Sequence, residues 1–303
     1  MRSVTNVAHA GNPPATPVAK FRVGCDLLYD VCGPSSFILN VAVVENAFQL
    51  LAHERFRLEP ELSVHESRSP VEEKRIHRFS PTVGTLRVIY EGVVELSHHT
   101  NDGGEAVENA AGVLPPEVVP YLYPSRYCES DKLIRIAWRE FGHLQPGFPR
   151  IAGVCQWIHH NVVYLRGATN PRTSAYDTVT ERAGVCRDFA HLGIAFTRAL
   201  GIPARFVSGY ALGLEPADFH AYFEAYLGDR WYIFDPTRLA PPTSFVRIGT
   251  GRDAADTSFA TIFGPVHFLS MFVTMEQTDG KPARFSEYPI ATAQPIARSL
   301  SDT

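Results

Sequence analysis

Four prolines fall within the eleven residues from Leu114 to Pro124, at positions 115, 116, 120 and 124. Proline lacks a backbone N–H and fixes φ, so a run this dense excludes both a helix interior and a central strand. The chain must cross this stretch as an extended connector, and the character of the sequence changes on either side of it. We therefore place a domain boundary here. With 303 residues there is enough chain for two domains, each able to bury a core without metal or disulfide staples.

Before the connector, from Phe21 to about Ser97, the sequence reads as strands. Ser36 to Val44 is apolar and β-branched after a Gly33-Pro34 turn. Thr85 to Leu96 alternates, with Leu86, Val88 and Tyr90 facing one way and Arg87 and Ile89 the other. No helical period interrupts this region, and an antiparallel β-sandwich over residues 21–122 is the simplest fold for it. Asn101 to Asn109 is polar and acidic, as expected of a loop.

After the connector, helices come first. Leu133, Ile134, Ala137, Trp138 and Phe141 form one stripe, and Ile151, Val154, Cys155 and Ile158 a second. Ser174 and Asp177 have capping-box spacing and predict a short helix. A longer helix is predicted from Cys186 to about Leu200, stopped by Gly201 and Pro203. The period then becomes two, through Ala204–Ala211, Phe219–Leu227 and Trp231–Asp235. Helices followed by strands define an α+β domain over residues 123–303, whose last strands are expected to extend its sheet. The Gly249–Ala254 segment lacks the third glycine of a dinucleotide loop and reads as an ordinary loop.

Charge and cysteine content narrow the function. A formal net charge of −4 gives no electrostatic case for nucleic acid or an anionic membrane as partner. The five cysteines, 25, 32, 128, 155 and 186, include no C-x-x-C pair and suit reduced thiols in a cytoplasmic protein. Residues Met1 to Lys20 read as a flexible tail without an apolar stretch, neither signal nor anchor. No G-x-S-x-G, H-E-x-x-H or P-C-x-x-C occurs, so neither a serine hydrolase nor a zinc enzyme is supported, and no metal or cofactor is expected.

One cysteine stands apart. Cys186 follows Gly184 and Val185 at the start of the longest predicted helix, where the macrodipole favours thiolate over thiol. That helix carries its own core stripe of Phe189, Ala190, Gly193, Phe196, Thr197 and Leu200, so Cys186 could be merely its first buried residue. Cys155, in the middle of an amphipathic helix, is read that way, as are Cys25, Cys32 and Cys128.

A histidine and a carboxylate decide between the readings. On the strand from Phe219, the residues Phe219, Ala221, Phe223 and Ala225 face the core, while His220, Tyr222, Glu224 and Tyr226 share the polar face. Gly228-Asp229 turns this strand back into the next one. If Leu227 pairs with Arg230, then Tyr222 pairs with Asp235, and His220 and Asp235 become diagonal neighbours within hydrogen-bond reach. A helix-start thiol, an imidazole and a carboxylate in one arrangement are the parts of a nucleophile–base–orienter triad. His191 points away from Cys186, and the pairs His98-His99 and His159-His160 read as surface or satisfied core histidines.

The stretch from Thr173 to Tyr210, with DFHAYFEAYL and WYIFDPT after it, resembles the transglutaminase-like superfamily of papain-fold enzymes, above all its bacterial branch with an N-terminal β domain. The resemblance implies a Cys–His–Asp triad, which falls on Cys186, His220 and Asp235, the triplet that the spacing reaches independently. It also implies a side-chain oxyanion donor upstream of the cysteine. Tyr164 is the candidate, with a packing tyrosine an equal alternative, beside the backbone N–H of Cys186. Asp188 is read as serving the helix dipole and a local salt bridge.

These readings converge on a thiol enzyme attacking an amide carbonyl of a peptide or protein substrate through a thioester. Hydrolysis is the preferred outcome, with acyl transfer to an amine as in a transglutaminase, or a non-catalytic binding module, as alternatives. The residues fix neither the substrate nor an oligomeric state.

Overall fold

The computed structural model describes residues 19–69, 73–100, 106–286 and 289–292. The expected tail lies outside these, except that Ala19 and Lys20 open the first strand; residues 101–105 of the expected acidic loop also lie outside.

The N-terminal module is built from β1 (Ala19–Val31), β2 (Ser36–Leu39), β3 (Gln49–Glu59), β4 (His65–Ser69), β5 (Lys74–Phe79) and β6 (Gly84–Leu96). β1, β6 and β3 are neighbours in one antiparallel sheet, and β2, β5 and β4 in a second. Their alternating apolar residues, among them Phe21, Val23, Leu27, Phe37, Phe79 and Val88, share one core. β2 stops at Leu39, although the apolar run continues to Val44. The buried backbone beyond it is satisfied otherwise: Val43 N–H donates to Tyr90 Oη at 3.0 Å, and Tyr210 Oη donates to the Val41 carbonyl at 2.8 Å.

The proline-rich connector contains one short 3₁₀ helix, Val119–Leu122, rather than running fully extended, and another, Ala111–Val113, comes just before it. It seats Tyr121 edge-on against Trp231, centroids 5.2 Å apart. β7 (His99–Thr100) precedes it. Then come α1 (Ser130–Phe141), α2 (Phe148–Asn161), β8 (Val163–Tyr164), α3 (Ala175–Glu181), β9 (Ala183–Gly184) and α4 (Cys186–Ala199). The expected capping box of α3 is present, with Ser174 N–H donating to Asp177 at 2.9 Å. β10 (Ala204–Tyr210), β11 (Phe219–Leu227), β12 (Arg230–Phe234) and β13 (Val246–Gly251) follow. The segment read as a glycine loop thus begins inside β13, whose six residues are all buried; its glycines admit close approach of Asn40, Lys74 and Asp256.

α4 lies on the central sheet. Phe189, Phe196 and Ala190 pack with Phe206, Ala221 and Phe223 in one core. A Cβ on Gly193 would stand 2.4 Å from Phe223 Cε1, so the helix approaches the strand as closely as glycine permits.

The last strands depart in part from expectation. β14 (Ala260–Phe263), β15 (Val266–Asp279) and β16 (Ile290–Ala291) are the last strands among the described residues. β13 and β16 join the central sheet, ordered β13-β10-β11-β12-β16-β7, as expected. β14 instead pairs with β2, and β15 runs along β1 from Lys20↔Asp279 to Val31↔Val266. A simple division at residue 122 therefore fails for these strands: the chain returns to complete both sheets of the N-terminal module. The 13-residue β1 would otherwise leave a long row of backbone groups unpaired. The result is an α+β core preceded, and also closed, by antiparallel sheets. No described helix is long and apolar enough to cross a membrane.

Candidate active site

Cys186 opens α4. Val185 before it is extended, and a Cβ on Gly184 would lie 2.7 Å from Asp188 Cβ, so glycine lets the incoming chain fold against the first helical turn. Asp188 is fully buried there; its carboxylate accepts from Val185 N–H at 3.0 Å, Thr169 Oγ1 at 2.7 Å and Arg187 Nη2 at 2.8 Å. An acid in the first turn complements the dipole, and it forms the expected local ion pair. Cys186 itself is half-buried and borders two cavities, of about 370 and about 540 Å³.

The parallel pairing of β8 with β9 sets Tyr164 opposite Gly184, two residues before Cys186. The phenol lies against Cys186, whose thiol and backbone N–H both act on it. Burial, and then the electrostatic influence of Cys186, push the Tyr164 hydroxyl up to about 12, so it is a neutral O–H donor.

β11 and β12 pair from Leu227↔Arg230 to Phe223↔Phe234, the register expected from the turn. One residue further brings Asp235 beside Tyr222 and diagonal to His220. His220 Nε2 meets Asp235 Oδ2 at 2.9 Å, with both side chains 1% exposed. Nδ1 has no partner at hydrogen-bonding geometry among the described residues and is the ring atom left for the thiol. Burial alone would depress the His220 pKa. The Asp235 charge and hydrogen bond, and then Cys186, outweigh it and raise the value to about 10. The structure thus brings Cys186, His220, Asp235 and Tyr164 together.

The face of β11 that carries His220 is not open, as its polar residues suggested; all nine residues of the strand are buried. Phe245 covers His220 edge-on at 5.1 Å and Tyr222 at 4.6 Å. Further along, Glu224 is fully buried between Arg205, at 2.8 Å, and Arg247, and accepts from Thr292 Oγ1 at 2.6 Å. Glu73 of the N-terminal module pairs with the same two arginines. Burial would favour protonation of Glu224, but Arg247 and Arg205 hold its pKa below the usual carboxylate value.

Among the described residues, no histidine besides His220 lines either cavity that Cys186 borders. His191 is buried, stacks on Tyr127 at 5.0 Å and accepts from Ala254 N–H at 3.1 Å; burial lowers its pKa to about 3, so it stays neutral. His98 is not a surface residue: both ring nitrogens are buried, and burial brings its pKa to about 4. Thr237 escaped the sequence reading. Its N–H and hydroxyl hold the two oxygens of Asp235, each at 2.9 Å, and the Asp-Pro-Thr run after a strand was the available signal. Among the described residues no group of three His, Cys, Asp or Glu is placed to hold a metal ion.

Comparison with known proteins agrees with this architecture. Residues 139–236 match the Transglutaminase-like superfamily core and residues 19–114 the Bacterial transglutaminase N-terminal domain. The crystal structure of a "putative cysteine protease" from Cytophaga hutchinsonii is 41% identical, with a TM-score of 0.87, covering 90% of this chain and 97% of that one. An uncharacterized protein of Mycobacterium leprae is 32% identical over 146 residues, 45% of this chain and 52% of its own length. One from Mycobacterium bovis is 27% identical over 171 residues, 51% of this chain and 50% of its own. The chain spans about half the length of these curated relatives. It belongs to the transglutaminase-like superfamily, with the bacterial N-terminal domain of that family ahead of the core.

Proposed function

We propose that this chain is a cysteine-type enzyme that hydrolyses an amide bond of a peptide or protein. The observation that carries the reading is the Asp235–His220 contact of 2.9 Å beneath a cleft bordered by Cys186. The 41% identical neighbour, described as a "putative cysteine protease", supports hydrolysis over transfer.

In this mechanism the Cys186 thiolate attacks the carbonyl carbon and a C–S bond forms. The carbonyl oxygen gains charge, which Cys186 N–H and Tyr164 O–H stabilise. The His220 imidazolium gives its proton to the nitrogen, the C–N bond breaks, and the amine departs. Water, deprotonated by His220, then attacks the thioester; a C–O bond forms, the C–S bond breaks, and the thiolate–imidazolium pair is restored. Asp235 fixes the ring and balances its positive charge throughout.

Mass spectrometry of casein peptides incubated with wild type and Cys186→Ala, with and without an added alkylamine, tests the reading. Cys186-dependent new termini, or glutamine converted to glutamate, establish hydrolysis. Dominant amine incorporation would replace it by acyl transfer. No Cys186-dependent product, together with an unreactive thiol, would leave a binding module.

A further inference from the structure

The two cavities beside the Cys186 sulfur differ in chemistry. The larger holds Arg166, Glu215 and Asp218 around Tyr164. The smaller, about 370 Å³, is lined mainly by apolar groups, among them Pro171, Phe206, Phe219, Ala254, Phe259 and Ala260, together with Cys186 and His220; Arg187, Thr257 and Ser258 are its polar members beside Tyr127. Phe219 and Phe259 stack at 4.1 Å and form a continuous apolar side.

This wall is held from two directions. On the catalytic side, Ala254 N–H donates to the neutral His191, and Tyr127 N–H donates to Asp253 at 2.9 Å. From the N-terminal module, Lys74 Nζ donates to the Asp256 carbonyl at 2.6 Å and Asn40 N–H to the Phe259 carbonyl at 2.9 Å. Four ties along seven residues fix the segment before any substrate arrives, so little ordering cost would remain on binding.

We infer that this smaller cavity is a preformed specificity pocket, braced by the N-terminal module, that seats a large aromatic or aliphatic side chain next to the reacting carbonyl. The inference rests on the thiol-enzyme reading above and adds a substrate class to it. An aromatic ring gains most from such a site because it buries a large apolar area with few rotors. A cationic side chain would lose its hydration and meet no carboxylate in this lining, only the like charge of Arg187.

Rates of Cys186 alkylation by a chloroacetamide series test this without a known substrate. In each case the thiolate displaces chloride and a C–S bond forms. The reagents carry N-methyl, N-isobutyl, N-(2-phenylethyl) or N-(4-aminobutyl) groups, and glutathione under the same conditions gives their intrinsic ratios. Relative to glutathione, the phenylethyl reagent is expected to outpace the methyl one at least tenfold on the folded protein, with no gain for the cation. Ala254→Leu, which fills the pocket, and Phe259→Ala, which removes a wall, should each return the phenylethyl-to-methyl ratio toward that of glutathione. Iodoacetamide labelling of wild type and His220→Ala runs in parallel. Ratios equal to glutathione, or a preference for the cation, with labelling still dependent on His220, would overturn the pocket and leave the enzyme reading intact. Labelling indifferent to His220 would overturn both.

Discussion

Thr237 donates its hydroxyl to Asp235 Oδ2 at 2.9 Å, the same oxygen that meets His220 Nε2 at 2.9 Å. The carboxylate is thereby held against the imidazole, and Thr237 N–H secures its other oxygen. Thr237→Val keeps the shape and removes one donor to a charged group, an interaction worth about 1.5–3 kcal/mol. Turnover of an activated ester should fall roughly tenfold or more, and Thr237→Ser should recover most of it. A shifted pH profile of Cys186 alkylation in the valine variant marks a positioning role; a lower melting temperature with an unmoved profile would reduce Thr237 to a structural part.

The His220 ring has its own pH signature. Its folded value of about 10 lies above the ordinary 6.5. The stability that the charged ring contributes is therefore fully present below pH 6.5 and is lost as pH rises toward about 10. Wild type should lose more thermal stability than His220→Gln over that window, which differential scanning calorimetry at its two ends would measure. Equal losses would mean that the ring is not held as an imidazolium by Asp235.

Tyr164→Phe separates the oxyanion role from nucleophile activation. Alkylation by iodoacetamide develops no oxyanion, whereas acylation does. The variant should lose about 10²-fold in turnover of an amide or activated ester while alkylating at an unchanged rate. An equal drop in both would identify Tyr164 as a packing residue that supports Cys186.

The helix-start cysteine, the strand histidine and the hairpin register were legible because they follow from local rules: capping, alternation and a two-residue turn. Two features were not. The return of β14 and β15 to the N-terminal sheets is a non-local pairing, and nothing in an apolar run from Val266 states which edge it will cover. The burial of Tyr222 and Glu224 was hidden for a different reason. Alternation of polar and apolar residues signals one wet face only where nothing else covers it, and here Arg205, Arg247 and Glu73, distant in sequence, supply the cover.

That cover gives a fourth expectation. Glu224→Gln leaves Arg247 and Arg205 buried with Glu73 as their one remaining ion-pair partner among the described residues. Breaking a buried ion pair by removing one partner costs about 3–5 kcal/mol, so a large fall in denaturant midpoint is expected. Because the Glu224 pKa is held below the ordinary 4.5, its contribution is present above that pH and disappears as pH falls below it. Wild type should thus approach the variant's stability in acid. A constant difference between the two at all pH values would remove the charge from the explanation.

The distance between thiol and imidazole depends on how α4 sits against β11, and Gly193 sets that contact. An added methyl would meet the Phe223 ring at 2.4 Å, so Gly193→Ala must move the helix or the ring. Overpacking of this kind costs about 1–3 kcal/mol, offset in part by the roughly 1 kcal/mol that alanine gains in a helix. Cys186 heads this helix, and His220 lies three residues before Phe223 on the strand, so a displaced helix also separates the reacting groups. Gly201 provides the control. Its φ of +82° makes Gly201→Ala strained at the far end of α4, with open space around the added carbon. Both variants should melt earlier than wild type, but only Gly193→Ala should slow the alkylation of Cys186. Equal alkylation rates in two equally destabilised proteins would mean that the helix–strand contact does not set the thiol–imidazole distance.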